Sequence, residues 1–373
     1  MTEEADTLTV EQVEDEAAAD TEADVLPLYK ISAYGVDFDV TSLINRLDKE
    51  DIEFPNFQRG FIWSYRQASR FIESLLMGLP VPGVFLWRNP ETEKLVVVDG
   101  RQRLETLQSY YRGTFKGREF SLPDHTSPYQ RVNPKFQERT YRRLDEDDRR
   151  RLDNSVIHAT IVSQERPPEQ EEGEETYSSS IYYLFERINT EGTPLQPQEI
   201  RTAIYRGELV DLLGRLNGIA AWREIYGPPS ARLKDRELIV RFFALFYRSG
   251  MYARPMKEFI NRYFSSNRNL SRQSEDQLTE LFGNTINTVS RAIGARAFRP
   301  EKALNAAVYD AVMVGVARRL EKGNVDNPDA LKTAYDGLIV DPAFEEAYTK
   351  ATSDAPNVLK RLQLATDAFA EVP

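Results

Sequence analysis

The chain has 373 residues, 41% hydrophobic and 29% charged, with no cysteine. That length is enough for two domains with real cores, and the missing cysteines exclude disulfide frameworks, thiolate nucleophiles and cysteine-ligated zinc or iron–sulfur clusters. The net charge of −11 belongs largely to residues 1–26, which hold ten acids and no base, while the other 49 acids and 48 bases nearly cancel.

Residues 1–26 are rich in Glu, Ala and Asp and read as a disordered acidic tail, either a solubilising leader or a nucleic-acid mimic lying over a basic groove. They offer no basic n-region or apolar h-region, and no apolar run in the chain is long enough to span a bilayer, so a soluble cytoplasmic protein is expected. Leu28 to Asp39 alternates as a strand, Thr41 is placed to cap a short helix through Asp48, and Ile52 to Pro55 reads as a strand ended by proline. Ser64 caps a helix whose Phe71, Ile72, Leu75 and Leu76 share one face. Strands over 83–88 and 95–98 flank the turn Asn89-Pro90-Glu91-Thr92 as a hairpin. The next helix begins after Arg101, carries Leu104, Leu107 and Tyr111 on one side and stops at Gly113. Residues 121–154 read as polar and irregular, with Arg131, Lys135, Arg139, Arg142, Arg143, Arg149, Arg150 and Arg151 among acids. Val156 to Val162 is a further strand in which His158 is expected to be packed, and 165–175 is an acidic Pro/Glu loop. From Ser179 the pattern is helical, over 179–188, 197–205, 208–217, 235–248, 255–265, 273–293, 301–321, 328–337 and 355–369. The expected class is α+β: a tail (1–26), a small mixed α/β domain (27–178) and an all-α domain (179–373).

Three blocks carry chemistry. In Val96-Val97-Val98-Asp99-Gly100-Arg101-Gln102-Arg103, a β-branched strand stops at an Asp-Gly turn and opens a helix, so the first-turn N–H groups and two guanidiniums make an anion site. Asp99 offers a base or metal ligand, Arg101 and Arg103 neutralise phosphate oxygens, and Gln102 orients water; the alternative is a turn followed by surface charge. The second block, Phe54 to Trp63, adds Gln58 and Arg59 among aromatics, of which Phe61 and Trp63 are expected to pack in the core. The third, Phe185 to Leu195, puts Arg187 and Asn189 at a helix end, with plain helix punctuation as the alternative. No Gly-x-x-x-x-Gly-Lys-Ser/Thr or Gly-x-Gly-x-x-Gly loop is present, and the two histidines, His125 and His158, lie in unrelated contexts, which leaves little for a P-loop ATPase, a histidine-metal nuclease or a Ser-His-Asp hydrolase. The bases of 131–151 and Arg254, Lys257, Arg262, Arg268 and Arg272 make either a DNA-contacting or a solvated face.

Together the blocks resemble the N-terminal domain of GmrSD-type, modification-dependent restriction endonucleases, a ParB/sulfiredoxin-like fold. The family's Pro-x-Phe/Tyr-Gln-Arg-x-Phe/Tyr-x-Trp is matched by Pro55 to Trp63, and its Asp-Gly-Gln-Gln-Arg followed by Thr by Asp99 to Arg103 and Thr106. Its Phe-x-Arg-Ile-Asn-x-x-Gly-x-x-Leu and Glu-Ile/Leu-Arg are matched by Phe185 to Leu195 and Glu199-Ile200-Arg201, with a weaker match at Asp235-Arg236 and Arg241 to Ala244. The resemblance spans roughly residues 28–265. Arg101 stands where the family motif has glutamine, exchanging a neutral amide for a cation, and no histidine follows residue 158 to serve an HNH-like nuclease domain.

The resemblance implies a domain that binds and hydrolyses a nucleoside triphosphate in phage defence. Asp99, Gln102 and Arg103 would be catalytic, with Asp99 holding Mg²⁺ or the attacking water. Gln58, Arg59, Gly100, Arg101, Thr106, Arg187 and Asn189 would bind nucleotide. DNA and a separate nuclease subunit would be partners. Two other readings stay open: a non-catalytic, nucleotide-gated switch acting on DNA or a nuclease subunit, and a ParB-like DNA nickase.

Overall fold

The computed structural model describes residues 31–55, 61–123, 132–164, 182–188, 196–205 and 207–373. The acidic tail, Gln58, Arg59, Asn189 and the 165–175 loop therefore lie outside the described residues. The described residues form two compact units, one drawn from Leu28–Glu171 and Tyr183–Pro194, the other chiefly from Leu195–Pro373.

The first unit begins with β1 (Ile31–Asp39), α1 (Val40–Asp48), β2 (Ile52–Glu53), α2 (Tyr65–Leu76), β3 (Val84–Arg88), β4 (Leu95–Asp99) and α3 (Arg101–Arg112). The short pair β5 (Thr114–Phe115) and β6 (Arg118–Glu119) follows, then α4 (Glu146–Asp153) and β7 (Val156–Gln164), and α5 covers 182–188. Five strands form one sheet in the order β1-β7-β3-β4-β2. It is mixed: β1–β7 and β3–β4 are antiparallel, β7–β3 and β4–β2 parallel. Alternation along the strands turns Val84, Leu86, Leu95, Val97, Ile157, Ala159 and Ile161 into one core. The apolar stripes of α1 (Val40, Leu43, Ile44, Leu47), α2 (Phe71, Ile72, Leu75, Leu76) and α3 (Leu104, Leu107, Tyr110) close over it. The architecture is the expected mixed α/β region followed by a helical one.

Ser64 caps α2 as expected, in a reciprocal capping box with Gln67. The cap of α1 is Asp39, not Thr41: its carboxylate accepts from the Ser42 backbone N–H at 2.7 Å and from the Ser42 hydroxyl at 2.8 Å. Residues 121–154 are more regular than their composition suggests, because α4 lies among them. It buries only Asp148 and Leu152, so it shows almost no apolar period, and its helicity follows from acids in the first turn and arginines in the last. His158 is exposed rather than packed, its Nδ1 2.8 Å from Asp37 Oδ1, because the period of two places it opposite the buried Ile157.

The second unit contains α6 (Pro197–Ile204), α7 (Glu208–Leu216), α8 (Ala220–Tyr226), α9 (Lys234–Arg248), α10 (Met256–Asn267), α11 (Glu275–Ala292), α12 (Ala306–Leu320), α13 (Pro328–Ile339), α14 (Pro342–Thr349) and α15 (Ala355–Phe369). Every residue of α12 but Arg318 and Leu320 is buried. At Gly315 a Cβ would stand 2.8 Å from the backbone of Ala365, so α15 crosses α12 at backbone contact. Among the described residues no helix is long and apolar enough to cross a membrane.

Ion pairs fix this helical core. Arg241 grips Asp310 through two bonds of 2.8 and 2.6 Å, and Arg361 adds a third at 2.9 Å, all three residues being buried. Glu199 accepts Nε and Nη2 of Arg232, each at 3.0 Å, and the Gln196 N–H at 2.6 Å. Arg201, fully buried, reaches Asn261 at 2.7 Å and Glu237 at 3.1 Å. Asp235 receives Asn217, Arg223 and the Ser230 N–H within 3.0 Å. Glu199, Arg201, Asp235 and Arg241, all quoted in the family resemblance, are thus framework residues.

Asp310→Asn removes the charge that two buried guanidiniums share. Equilibrium urea unfolding is expected to show a loss of about 3–5 kcal/mol. A loss below about 1 kcal/mol would mean that the shared carboxylate does not hold α9, α12 and α15 together.

A candidate anion site at the start of helix α3

The β4–α3 bend is built as the sequence predicts. Leu95 to Val98 are buried in the sheet, and Gly100 caps α3 in the left-handed region at φ 97°. A side chain there would be strained by that φ and would set its Cβ 2.5 Å from Val84 Cγ1. Glycine also brings no side-chain acceptor to the helix start, and no side chain caps α3 from that position. The positive end of the dipole is thus left to other groups.

The first turn of α3 is occupied by the other sequence block. Gln102 Oε1 accepts the backbone N–H groups of Ile62 at 2.9 Å and Trp63 at 3.0 Å. Arg101 Nη1 donates to the Pro55 carbonyl at 3.1 Å, and its guanidinium lies 5.4 Å from the centre of the Phe54 ring. Both flanks of residues 56–60 are therefore tied to two consecutive side chains of α3. Phe61 and Trp63 pack against the core as expected, Phe61 edge-on to Phe115 at 5.1 Å and Trp63 edge-on to Phe71 at 5.7 Å.

The charges of the bend are paired. Arg101 Nη2 lies 2.8 Å from Glu105, and Arg103 Nη2 lies 3.2 Å from Asp99, both pairs one turn apart on the chain. Arg103 also donates to the Gly83 carbonyl, which pins β3 against the bend. Thr106 is fully buried and its hydroxyl donates to the Gln102 carbonyl at 2.6 Å, so it supports Gln102 from within and does not face a ligand. Arg187 is exposed on α5, while Gln58, Arg59 and Asn189 lie outside the described residues. The carboxylates of the bend do not fit a resident Mg²⁺: Asp99 is engaged by Arg103 and Glu105 by Arg101. Among the described residues no group of three or more His, Asp or Glu side chains converges as a metal site.

Two participants escaped sequence reasoning. Glu105 anchors Arg101, and its position four residues on was a readable signal. Lys116, in the β5–β6 turn, donates to the Trp63 carbonyl at 3.1 Å with its ammonium 5.4 Å from the centre of the Phe61 ring. Nothing local in the sequence pairs it with Trp63.

The arginine-rich stretch is largely consumed by its own neighbourhood. Lys135 pairs with Asp148, Arg150 with Glu146, Arg139 with Asp145 at 3.7 Å and Arg143 with Glu119 at 3.8 Å, while Arg149 caps carbonyls of Arg142 and Leu144. In the helical unit Arg254 pairs with Asp354 at 2.7 Å.

Residues 40–206 match the family model described as GmrSD restriction endonuclease, N-terminal domain. No curated protein matches the chain.

If Gln102 is the clasp, Gln102→Ala frees two amides at once. Hydrogen exchange at Ile62 and Trp63 is expected to accelerate, with about 1–3 kcal/mol of local stability lost. Unchanged exchange at both amides would dissolve the clasp. Gly100→Ala is expected to lower global stability by at least about 1 kcal/mol in thermal unfolding, from left-handed strain and the Val84 overlap.

Proposed function

We propose that this chain, whose residues 40–206 match the GmrSD restriction endonuclease N-terminal domain model, serves a phage-defence restriction system by binding a nucleoside triphosphate at the start of α3. The observation that carries the reading is the double tie of Arg101 and Gln102 to the flanks of residues 56–60. It brings the Asp99–Arg103 block and the chain on either side of Gln58 and Arg59 to one helix N-terminus. Polyphosphate oxygens compete there with Asp99 for Arg103 and with Glu105 for Arg101, while the helix dipole favours their charge. Gln58 and Arg59, three and four residues beyond Pro55 in the chain, would add an amide and a bidentate fork. Mg²⁺ would enter ligated by the phosphates and not by a protein donor set.

One observation favours a gated switch over hydrolysis. The Gln102 carboxamide oxygen already accepts two backbone amides, so orienting an attacking water would break the clasp. Nucleotide binding that draws Arg101 from the Pro55 carbonyl would instead break one of its ties to Pro55 and signal occupancy to DNA or to a nuclease subunit. The nuclease that reads this signal would be a separate subunit. DNA contact would come from that assembly more than from Arg139, Arg143 and Arg150, which are paired internally.

Arg59→Ala is expected to weaken ATP or GTP binding about 10- to 100-fold with unchanged melting temperature, and Arg59→Lys to fall between. Calorimetry showing wild-type affinity in Arg59→Ala would remove the assignment. Phosphate release by wild type that Gln102→Ala abolishes would restore the hydrolytic reading over the switch.

A further inference from the structure

A cationic hollow stands in the helical unit, beyond the matched residues 40–206. It is lined by Arg296, Arg299, Glu301, Lys332, Tyr335 and Ile339, among others, and holds about 450 Å³, within the range of small-ligand sites. Its charge is lopsided. Lys332 is answered by Asp336. Arg299 is held by carbonyls alone, those of Ile225 at 2.6 Å, Ala295 at 3.1 Å and Tyr226 at 3.3 Å. Among the described residues neither Arg296 nor Arg299 has a carboxylate within ion-pair distance, and Glu301 is the one acid in the lining. Burial pulls the Arg299 guanidinium down from its usual range; the Tyr226 phenol opposes that shift and the nearby Arg296 adds to it. Burial, with Asp336 beside it, pushes the Tyr335 phenol up to about 12, which keeps it a neutral hydrogen-bond donor at physiological pH.

Two neighbouring arginines without a counter-charge, on a concave wall, concentrate positive potential where a small anion would be drawn in. Carbonyl anchoring through Nη1 and Nη2 pre-orients Arg299 and leaves its Nε–H and second Nη2–H, a planar edge that matches phosphate oxygens. Arg296 is exposed, and its guanidinium makes no hydrogen bond among the described residues, so it can turn to a ligand at little cost. The flat face of Tyr335 with Ile293 and Ile339 gives the rest of the wall an apolar character suited to the organic part of a ligand.

We propose that this hollow is a binding site for a small ligand bearing a terminal phosphate, with Arg299 as the fixed fork and Arg296 as the closing one. The source is either free phosphate or a phosphate monoester, and the two separate by probe.

The test uses the full chain, with inorganic phosphate and AMP as probes in isothermal calorimetry and thermal melts, against chloride at equal ionic strength. Both probes are expected to raise the melting temperature. Arg296→Ala should weaken binding at least tenfold without changing the ligand-free melt, Arg296→Glu should abolish it, and Arg296→Lys should fall between. AMP tighter than phosphate identifies an ester ligand; equal affinities identify phosphate itself. Arg59→Ala should leave this binding intact. No binding of either probe at about 10 mM, or wild-type affinity in both Arg296→Ala and Arg296→Glu, overturns the proposal. Binding lost in Arg59→Ala but kept in Arg296→Ala places the anion at α3 and also overturns it, while the reading of the α3 site stands.

Discussion

One side-chain oxygen organises the first unit. Gln102 Oε1 takes two consecutive backbone amides, and the neighbouring Arg101 takes a carbonyl seven residues earlier than the first of them. Loose chain on either side of five residues is thereby fixed to a rigid helix, and the helix is aimed by a left-handed glycine that admits no side chain. Shifting α3 by a fraction of an ångström would strain all three bonds. Thr106 stiffens the same spot from below through the Gln102 carbonyl. Chemistry proposed for this bend inherits its geometry from that anchoring.

The same residues that would meet an anion are held, without one, by internal carboxylates. Both described arginine pairs of the bend are partly exposed, so each pair contributes modestly to stability and can be exchanged for phosphate at little cost. This differs from the helical unit, where Asp310, Glu199 and Asp235 are buried and their arginine bonds are not for exchange. Motif residues of similar type thus divide by depth: the shallow pairs are available for binding, and the deep pairs hold helices.

Much of this was legible in the sequence, for physical reasons that can be named. The sheet and α3 announced themselves through β-branched runs, an Asp-Gly stop and a period of 3.6. Phe61 and Trp63 read correctly as packing residues. α4 did not announce itself, because a helix held by capping charges with one buried leucine has no stripe to detect. α8 and α14, at seven and eight residues, are too short for a period to register. At the site, the residue types were visible but their partners were not all so. Arg101–Glu105 and Asp99–Arg103 follow from helical spacing alone, whereas Lys116 reaches Trp63 across 53 residues and only the fold brings them together. Glu199 and Arg201 entered the sequence reading only through the family motif; their burial shows that they serve the helical core.

The shared carboxylate of Asp310 also joins three distant stretches of the chain. Its arginines come from positions 69 residues before it and 51 after it, so no local hairpin of helices can complete the set. Arg241 and Asp310 alone make a neutral pair that α9 and α12 can bury together. Arg361 joins the same carboxylate from α15 and also donates to the Thr352 carbonyl. The backbone-tight seam at Gly315 adds close packing to that charged contact, so α15 is held to α12 by shape as well as by the shared carboxylate.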